Sequence, residues 1–135
     1  TDKNFARRMK DTLTHGYRNF RETIALKWGR HFRINESFKA IVGRDEEENK
    51  NLIRYAHMDD VIMYLNDRMG PTLILKGENP SDEILHIASG LILNFSKIKD
   101  PTGATVCAFK LRNKNDRKLL QAFPLDPRSI QAMAL

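Results

Sequence analysis

A single cysteine, Cys107, stands in 135 residues, so no intramolecular disulfide framework, cysteine-based zinc finger or iron–sulfur cluster is available. Apolar runs are only a few residues long, which leaves no candidate transmembrane helix and no secretory h-region. The seven glycines are isolated, and none opens a Walker-type or dinucleotide-binding loop. The histidines His15, His31, His57 and His86 are too scattered for a helical metal motif. What is present is a 41% hydrophobic content, which argues against wholesale disorder, at a length that suits one domain or one domain with a short arm. The chain opens on Thr1 and is basic from the outset; it reads as a piece of a longer intracellular protein.

The net charge of +6 is concentrated at the front. Residues 1–34 carry nine basic groups (Lys3, Arg7, Arg8, Lys10, Arg18, Arg21, Lys27, Arg30 and Arg33) against three acids, whereas residues 35–135 carry 14 of each sign. A neutral body with a cationic front points to a polyanionic partner, nucleic acid ahead of an anionic membrane. Membrane-surface helices need a broad apolar face, and the apolar residues here are better explained by packing. Any one of these cations, taken singly, is explained as surface solvation. A second basic stretch runs through 97–118.

Periodicity outlines the elements. Phe5, Met9 and Leu13 recur at helical spacing and predict an amphipathic helix over 2–15, with Lys3, Arg7 and Lys10 opposite. A short helix is expected over 20–27. His31 to Ile34 alternates and predicts a strand with one cationic face, His31 and Arg33; a second strand covers 38–42 after a turn at 35–37. Asp45 is a candidate N-cap for a helix through Ala56, with Glu46, Glu47 and Glu48 in the first turn, where the helix dipole favours negative charge. Strands are expected over 60–65 and 72–75. Asn79 with Pro80 opens a helix to about Ile98, striped by Ile84, Ala88, Leu91, Ile92 and Phe95. After a turn at 100–103, a hairpin closes over 104–111 and 117–123, and Pro124 and Pro127 punctuate the tail. The fold class is therefore α+β: a small, mostly antiparallel sheet with two packed helices, preceded by a basic helical arm. The division is 1–34 for the arm and 35–135 for the domain.

Catalytic groups do not assemble in this pattern. His57 beside Asp59 and Asp60 could form an acid/base pair, but a solvated histidine at a helix end explains the same residues. Cys107 lies in a β-type run and reads as a small buried hydrophobe; no cationic partner that would activate it can be placed. Binding chemistry is better supplied. Arginine bridges phosphate oxygens and stacks on bases, and the run 29–33 concentrates such donors near Trp28 and Tyr17. Trp28 reads either as a core residue or as a stacking partner, whereas Phe32 reads as core. Gly43-Arg44 precedes a helix start; its anion slot is expected to be filled by Asp45, leaving Arg44 free to reach outward.

The ordered words of the chain are also familiar. "AIVGRDEEENKNL", followed by "MDDVIMYLNDRMGPTLILKG", resembles the NFACT-R type of RNA-binding domain, and more closely the variant at the C-terminal end of PP-loop tRNA 2-thiouridine synthase-like proteins. "TDKNFARRMKDTLTHG" and "KWGRHFRI" resemble the segment joining the two domains of those proteins, so the resemblance spans roughly Thr1 to Asp100, and the tail after Thr102 matches only loosely. Gly43, Arg44 and Asn49 stand at the family's "GR…N" positions, Asp60 at its strand-start acid, and Gly70-Pro71 at its loop. The resemblance implies RNA binding, tRNA above all, on behalf of a neighbouring domain that uses ATP to activate a uridine for sulfur insertion. The ribosome-quality-control form carries an aromatic–histidine signature and a Gly-Ser loop where this chain has Val61–Leu65 and Gly70-Pro71, so contacts through those side chains do not carry over. The Ser-Gly-Gly-type ATP site and paired cysteines are missing, so ATP belongs to the PP-loop domain and the segment itself is expected to have no cofactor, metal or catalytic residue.

The expectation is a cytoplasmic, non-catalytic RNA-binding accessory domain that binds no membrane and has RNA and an adjoining PP-loop domain as partners. Arg7, Arg8, Arg30, His31, Arg33, Arg44 and Arg68 are its candidate RNA contacts, with Lys97 and Lys99 behind them. Asn49 is expected to fix the helix start against the neighbouring loop. Two rivals remain: a module whose front helix docks onto a sister domain, and a small enzyme built on His57 with Asp59 or Asp60.

Overall fold

A computed structural model describes residues 2–16, 20–98 and 103–135. Among these, β1 (Arg30–Arg33), β2 (Lys39–Val42), β3 (Val61–Leu65), β4 (Leu73–Lys76), β5 (Ala104–Lys110) and β6 (Lys118–Ala122) form one sheet in the spatial order β1-β2-β4-β3-β5-β6. Every neighbouring pair is antiparallel. The helices are α1 (Asp2–Thr14), α2 (Phe20–Ile24), α3 (Glu46–Arg54), α4 (Asp82–Asn94) and α5 (Pro127–Met133), with 3-10 turns at Ala25–Lys27 and Leu111–Asn113. The class is the α+β architecture read from the sequence. β1 lies within segment 1–34 yet pairs with β2 from Arg30↔Val42 to Arg33↔Lys39, so part of the arm belongs to the sheet.

Strand alternation divides the core between two faces. Phe32, Ala40, Val42, Met63, Leu73, Leu75, Val106 and Ala108 face α4, whose Ile84, Ala88, Leu91 and Ile92 complete the larger cluster. The opposite face holds a smaller cluster in which Ile41, Ile62 and Ile74 meet Ala25 and Leu52 from the 3-10 turn and α3. Each buried aliphatic side chain contributes roughly 1.5–3 kcal/mol, so the α4 face carries most of the stability.

Three element ends differ from the sequence reading, each for a local reason. Ser81, not Asn79, caps α4: its Oγ accepts from Ile84 N at 3.3 Å, while Asn79 sits in the left-handed region at φ 51°. α4 stops at Asn94 rather than Ile98 because the Asn94 side chain turns to the tail, accepting from Leu125 N at 2.7 Å, and Ser96 Oγ donates back to Leu93 O at 2.8 Å. Pro127 does not merely punctuate the tail. It stands at the start of α5 behind the Asp126 cap, and Ile130 and Met133 then pack on the larger core. Leu135 N donates to His31 O at 2.9 Å, which covers the edge of β1. The turn expected over 100–103 lies, except for Gly103, outside the described residues.

α1 docks in an unexpected orientation. Its Phe5–Met9–Leu13 stripe faces outward, with Leu13 62% and Phe5 40% exposed. The polar side faces the sheet because β1 and β2 present basic groups there. Arg33 grips Asp11 with Nη2–Oδ2 at 2.6 Å and Nε–Oδ1 at 2.9 Å. Lys39 Nζ donates to Thr12 Oγ1 at 3.4 Å, and Arg8 Nη1 donates to Leu26 O at 2.9 Å. Burial works to raise the Asp11 carboxyl, but the Arg33 fork outweighs it and holds the group below its usual value. Lys39 is 5% exposed, and its ammonium is lowered to about 8 by burial, with Arg33, Lys76 and Arg8 reinforcing the effect against Asp11.

Two close approaches in this region depend on glycine, one of them at the start of α3. Asn49 Oδ1 accepts from Thr72 N at 3.1 Å, joining α3 to the end of the Gly70-Pro71 loop. A Cβ at Gly43 would overlap Asn49 Oδ1. At Gly29, φ 76°, an added Cβ would lie 2.7 Å from Val42 O.

Gly43→Ala is therefore expected to destabilise the fold by roughly 1–3 kcal/mol, the usual cost of overpacking, read from the urea midpoint; an unshifted midpoint would refute the contact. Lys39→Met tests the buried ammonium. The unfolded chain holds this proton up to pH 10.5 and the folded chain only to about 8, so charging Lys39 costs stability below about pH 8 and the cost fades as pH rises toward 10.5. The variant should gain on the order of 2–3 kcal/mol at pH 7 and much less at pH 10, by urea denaturation at both values.

Candidate nucleic-acid interface

The cationic face predicted for β1, His31 with Arg33, does not point outward. Arg33 is held by Asp11. His31 is 2% exposed, its Nε2–H donates to Trp28 O at 2.8 Å, and burial, then Lys39 and Arg8, push it well below its ordinary pKa. A neutral, enclosed imidazole makes no phosphate contact, so His31 is a structural residue. Arg44 is not free either. It folds onto Glu48 one helical turn on, with Nη2–Oε2 at 2.7 Å and Nε–Oε1 at 2.9 Å, and its backbone N–H donates to the same carboxylate. That fork, aided by the N–H groups of Arg44 and Gly29, holds Glu48 at about 2. Asp45 Oδ1 caps Glu48 N at 2.8 Å, as the sequence implied. Arg8 is partly covered and lowered by burial and by Arg44.

Other candidates remain outward. Arg7 is exposed on α1, and Arg68 is exposed in the β3–β4 loop beside Met69. Arg30 lies 4.7 Å from the centroid of the Phe95 ring, with exposed Lys97 nearby in the chain; Phe95 in turn packs on Phe32 at 5.6 Å. Lys99 and Tyr17 lie outside the described residues. Asp60 is fully buried, accepting from His57 N at 2.9 Å and from Lys76 Nζ at 2.8 Å. Gly70 is closed upon by Leu65, and Pro71 is buried.

A grouping invisible in the sequence joins α2, the 3-10 turn and the end of α3. Trp28 and Tyr55 pack ring to ring at 5.2 Å. Arg21 lies 4.8 Å from the Tyr55 centroid and Lys27 4.9 Å from the Trp28 centroid, so two aromatic rings are flanked by two cations. Arg21 also donates to Arg54 O, and Arg54 is exposed. Among the described residues neither Arg21 nor Lys27 is paired with a carboxylate. Cations on aromatic faces, half in solvent, suit phosphate and base contacts together. Arg21 and Tyr55 were missed because they meet from positions far apart in sequence; Lys27 beside Trp28 was the one available signal.

The remaining sites are less suited to chemistry. His57 Nδ1 accepts from Asp59 N at 3.1 Å, Asp59 pairs with Arg112 at 3.0 Å, and Asp60 is engaged as above, so the three are tied into a turn. Cys107 is buried, with Arg117 Nη1 3.6 Å from Sγ. Among the described residues no three His, Cys, Asp or Glu side chains converge as a metal site, and no helix is long and apolar enough to cross a membrane. A cleft of about 470 Å³ lies between the arm and the sheet, but Arg33, Lys39 and Lys76 on its wall are offset by Glu22, Glu36 and Glu78.

No curated protein matches the chain. Among solved structures, the C-terminal part of the fibronectin/fibrinogen-binding protein from Streptococcus suis is similar, with a TM-score of 0.69 at 19% identity over 79% of this chain. At that identity the likeness establishes the fold, and the chain spans about half (49%) of that structure's length. The model of the NFACT protein RNA binding domain matches residues 29–133, from the glycine before β1 to the end of α5. With so much of the sheet and its helices covered, the chain belongs to that family of RNA-binding domains.

Proposed function

We propose that this domain is the non-catalytic RNA-holding unit of a cytoplasmic tRNA-modifying protein, without a cofactor of its own. It grips tRNA by phosphate contacts and shape and delivers it to a PP-loop domain of the same chain. The observation that carries the RNA surface is the Arg21–Tyr55–Trp28–Lys27 column, in which cations without carboxylate partners lie on aromatic rings. Arg7, Arg30 and Arg68 are exposed and basic as well, Arg30 on the α4 side of the sheet against Phe95. Support for the tRNA and PP-loop context comes from the likeness of 1–16 and 27–34 to the joining segment of such proteins. A second reading, docking of α1 onto a sister domain, is favoured by the outward Phe5–Leu13 stripe. Capture of a protein partner that survives nuclease would support that reading.

Salt dependence tests the RNA surface. Binding to a tRNA pool, followed by fluorescence anisotropy between about 50 and 200 mM salt, should weaken with a log–log slope of about 0.7–0.9 per phosphate contacted. Replacing Arg21 and Lys27 together by Gln should lower that slope by about one to two such increments; an unchanged slope removes this surface. Arg33→Gln should act differently. It leaves Asp11 buried without its partner, so it should lower stability by about 3 kcal/mol while the slope stays put.

A further inference from the structure

The sheet has a second, uncovered surface. Val106, Ala108, Leu120 and Ala122 point to α4, so alternation turns Cys107, Phe109, Leu119 and Gln121 to the other side. There the covering groups, Ala25 and Leu52, cluster with Ile41, Ile62 and Ile74 of β2, β3 and β4. Past β3 the cover ends, and Leu119 is 59% exposed. Tyr64 lies in register with Cys107, and Cys107 with Leu119, which sets an aromatic, a thiol and an aliphatic side chain across three strands.

Arg117 lies across this floor. Its guanidinium carbon is 4.5 Å from the Phe109 centroid, its Nη1 donates to Tyr64 OH, and the same nitrogen is 3.6 Å from Cys107 Sγ. Phe109 meets Tyr64 edge-on at 6.1 Å and 84°. All of these partners are uncharged. Nearby, Arg112 is paired with Asp59 and Lys118 with Asp82, but exposed Lys114 has no ion-pair partner among the described residues. An exposed guanidinium held over a ring has a face to offer another planar group, and surplus positive charge selects an anionic carrier for that group.

We propose that the open face of β3, β5 and β6 is a stacking platform for an unpaired stretch of RNA. A base lies on the Arg117 guanidinium above Phe109 and Tyr64, and Lys114, in the loop just before Arg117, takes a flanking phosphate. A duplex does not fit this role, because its bases are already stacked and only its backbone and groove edges are presented. The platform rests on the RNA-binding reading of the family and is separate from the Arg21–Lys27 surface.

The test compares a short adenosine oligonucleotide with a blunt RNA duplex by fluorescence anisotropy at one salt concentration, using the full chain. Arg117→Gln and Phe109→Leu should each weaken single-strand binding by about 5-fold or more, the scale of one lost stack, and leave duplex binding within about twofold. Phe109 also belongs to the smaller core, so Arg117→Gln, at an exposed position, carries the comparison if Phe109→Leu unfolds. Photocrosslinking of a bromouridine-substituted strand should label peptides containing Tyr64 or Phe109. Equal losses on both RNAs, no loss with Arg117→Gln, or crosslinks confined to other strands would overturn the platform. Wild-type binding to duplex alone would sink the platform while leaving the RNA-binding reading intact; binding to neither RNA would sink both.

Discussion

The grip of Arg33 on Asp11 decides how the front of this molecule is arranged. β1 and β2 present Arg33, His31 and Lys39 toward α1, a polar patch that no apolar helix face could cover without stranding charges. The helix therefore turns its polar side inward and its Phe5–Leu13 stripe outward. Cations that look like a binding surface in one dimension become internal partners in three. Burial, reinforced by the neighbouring cations, pushes both Lys39 and His31 toward their neutral forms.

The unpaired positive charge is thus redistributed rather than lost. Cations that have found a carboxylate, Arg33 and Arg44, brace the fold; cations resting on rings, Arg21, Lys27, Arg30 and Arg117, keep their charge unpaired and turned to solvent. An ion pair and a cation–aromatic contact both order an arginine, but only the second leaves it electrostatically available. That distinction sorts the basic residues of an RNA-binding domain into scaffold and surface.

Much of the fold was legible because its signals are local. Alternation in β3 and β4, the stripe of α4 and the Asp45 cap each lie within one element, and their positions hold to within a residue or two in most cases. The Asn79 cap was misread because Ser81 offers an equally good hydroxyl two residues on. The site was far less legible. Arg33 meets a carboxylate 22 positions away, and Trp28 meets a ring beyond two strands and a helix. Composition counts the cations of the first 34 residues correctly but says nothing about which acids they will face. The exposed position of the Phe5 stripe could not be read either, since periodicity identifies an apolar side of a helix without stating what that side touches.

The manner of α1's attachment also shapes its thermodynamics. Its polar anchors among the described residues are a carboxylate fork, a hydroxyl and a peptide carbonyl, and its apolar stripe is already in solvent, so lifting the helix from the sheet wets little hydrocarbon. Heat capacity tracks newly wetted hydrocarbon. Release of the helix accordingly has a shallow temperature profile, while the α4-backed sheet follows a strongly bowed one. On warming or cooling, the two parts of the molecule answer to different clocks: the helix to the counterions around it, the sheet to the water.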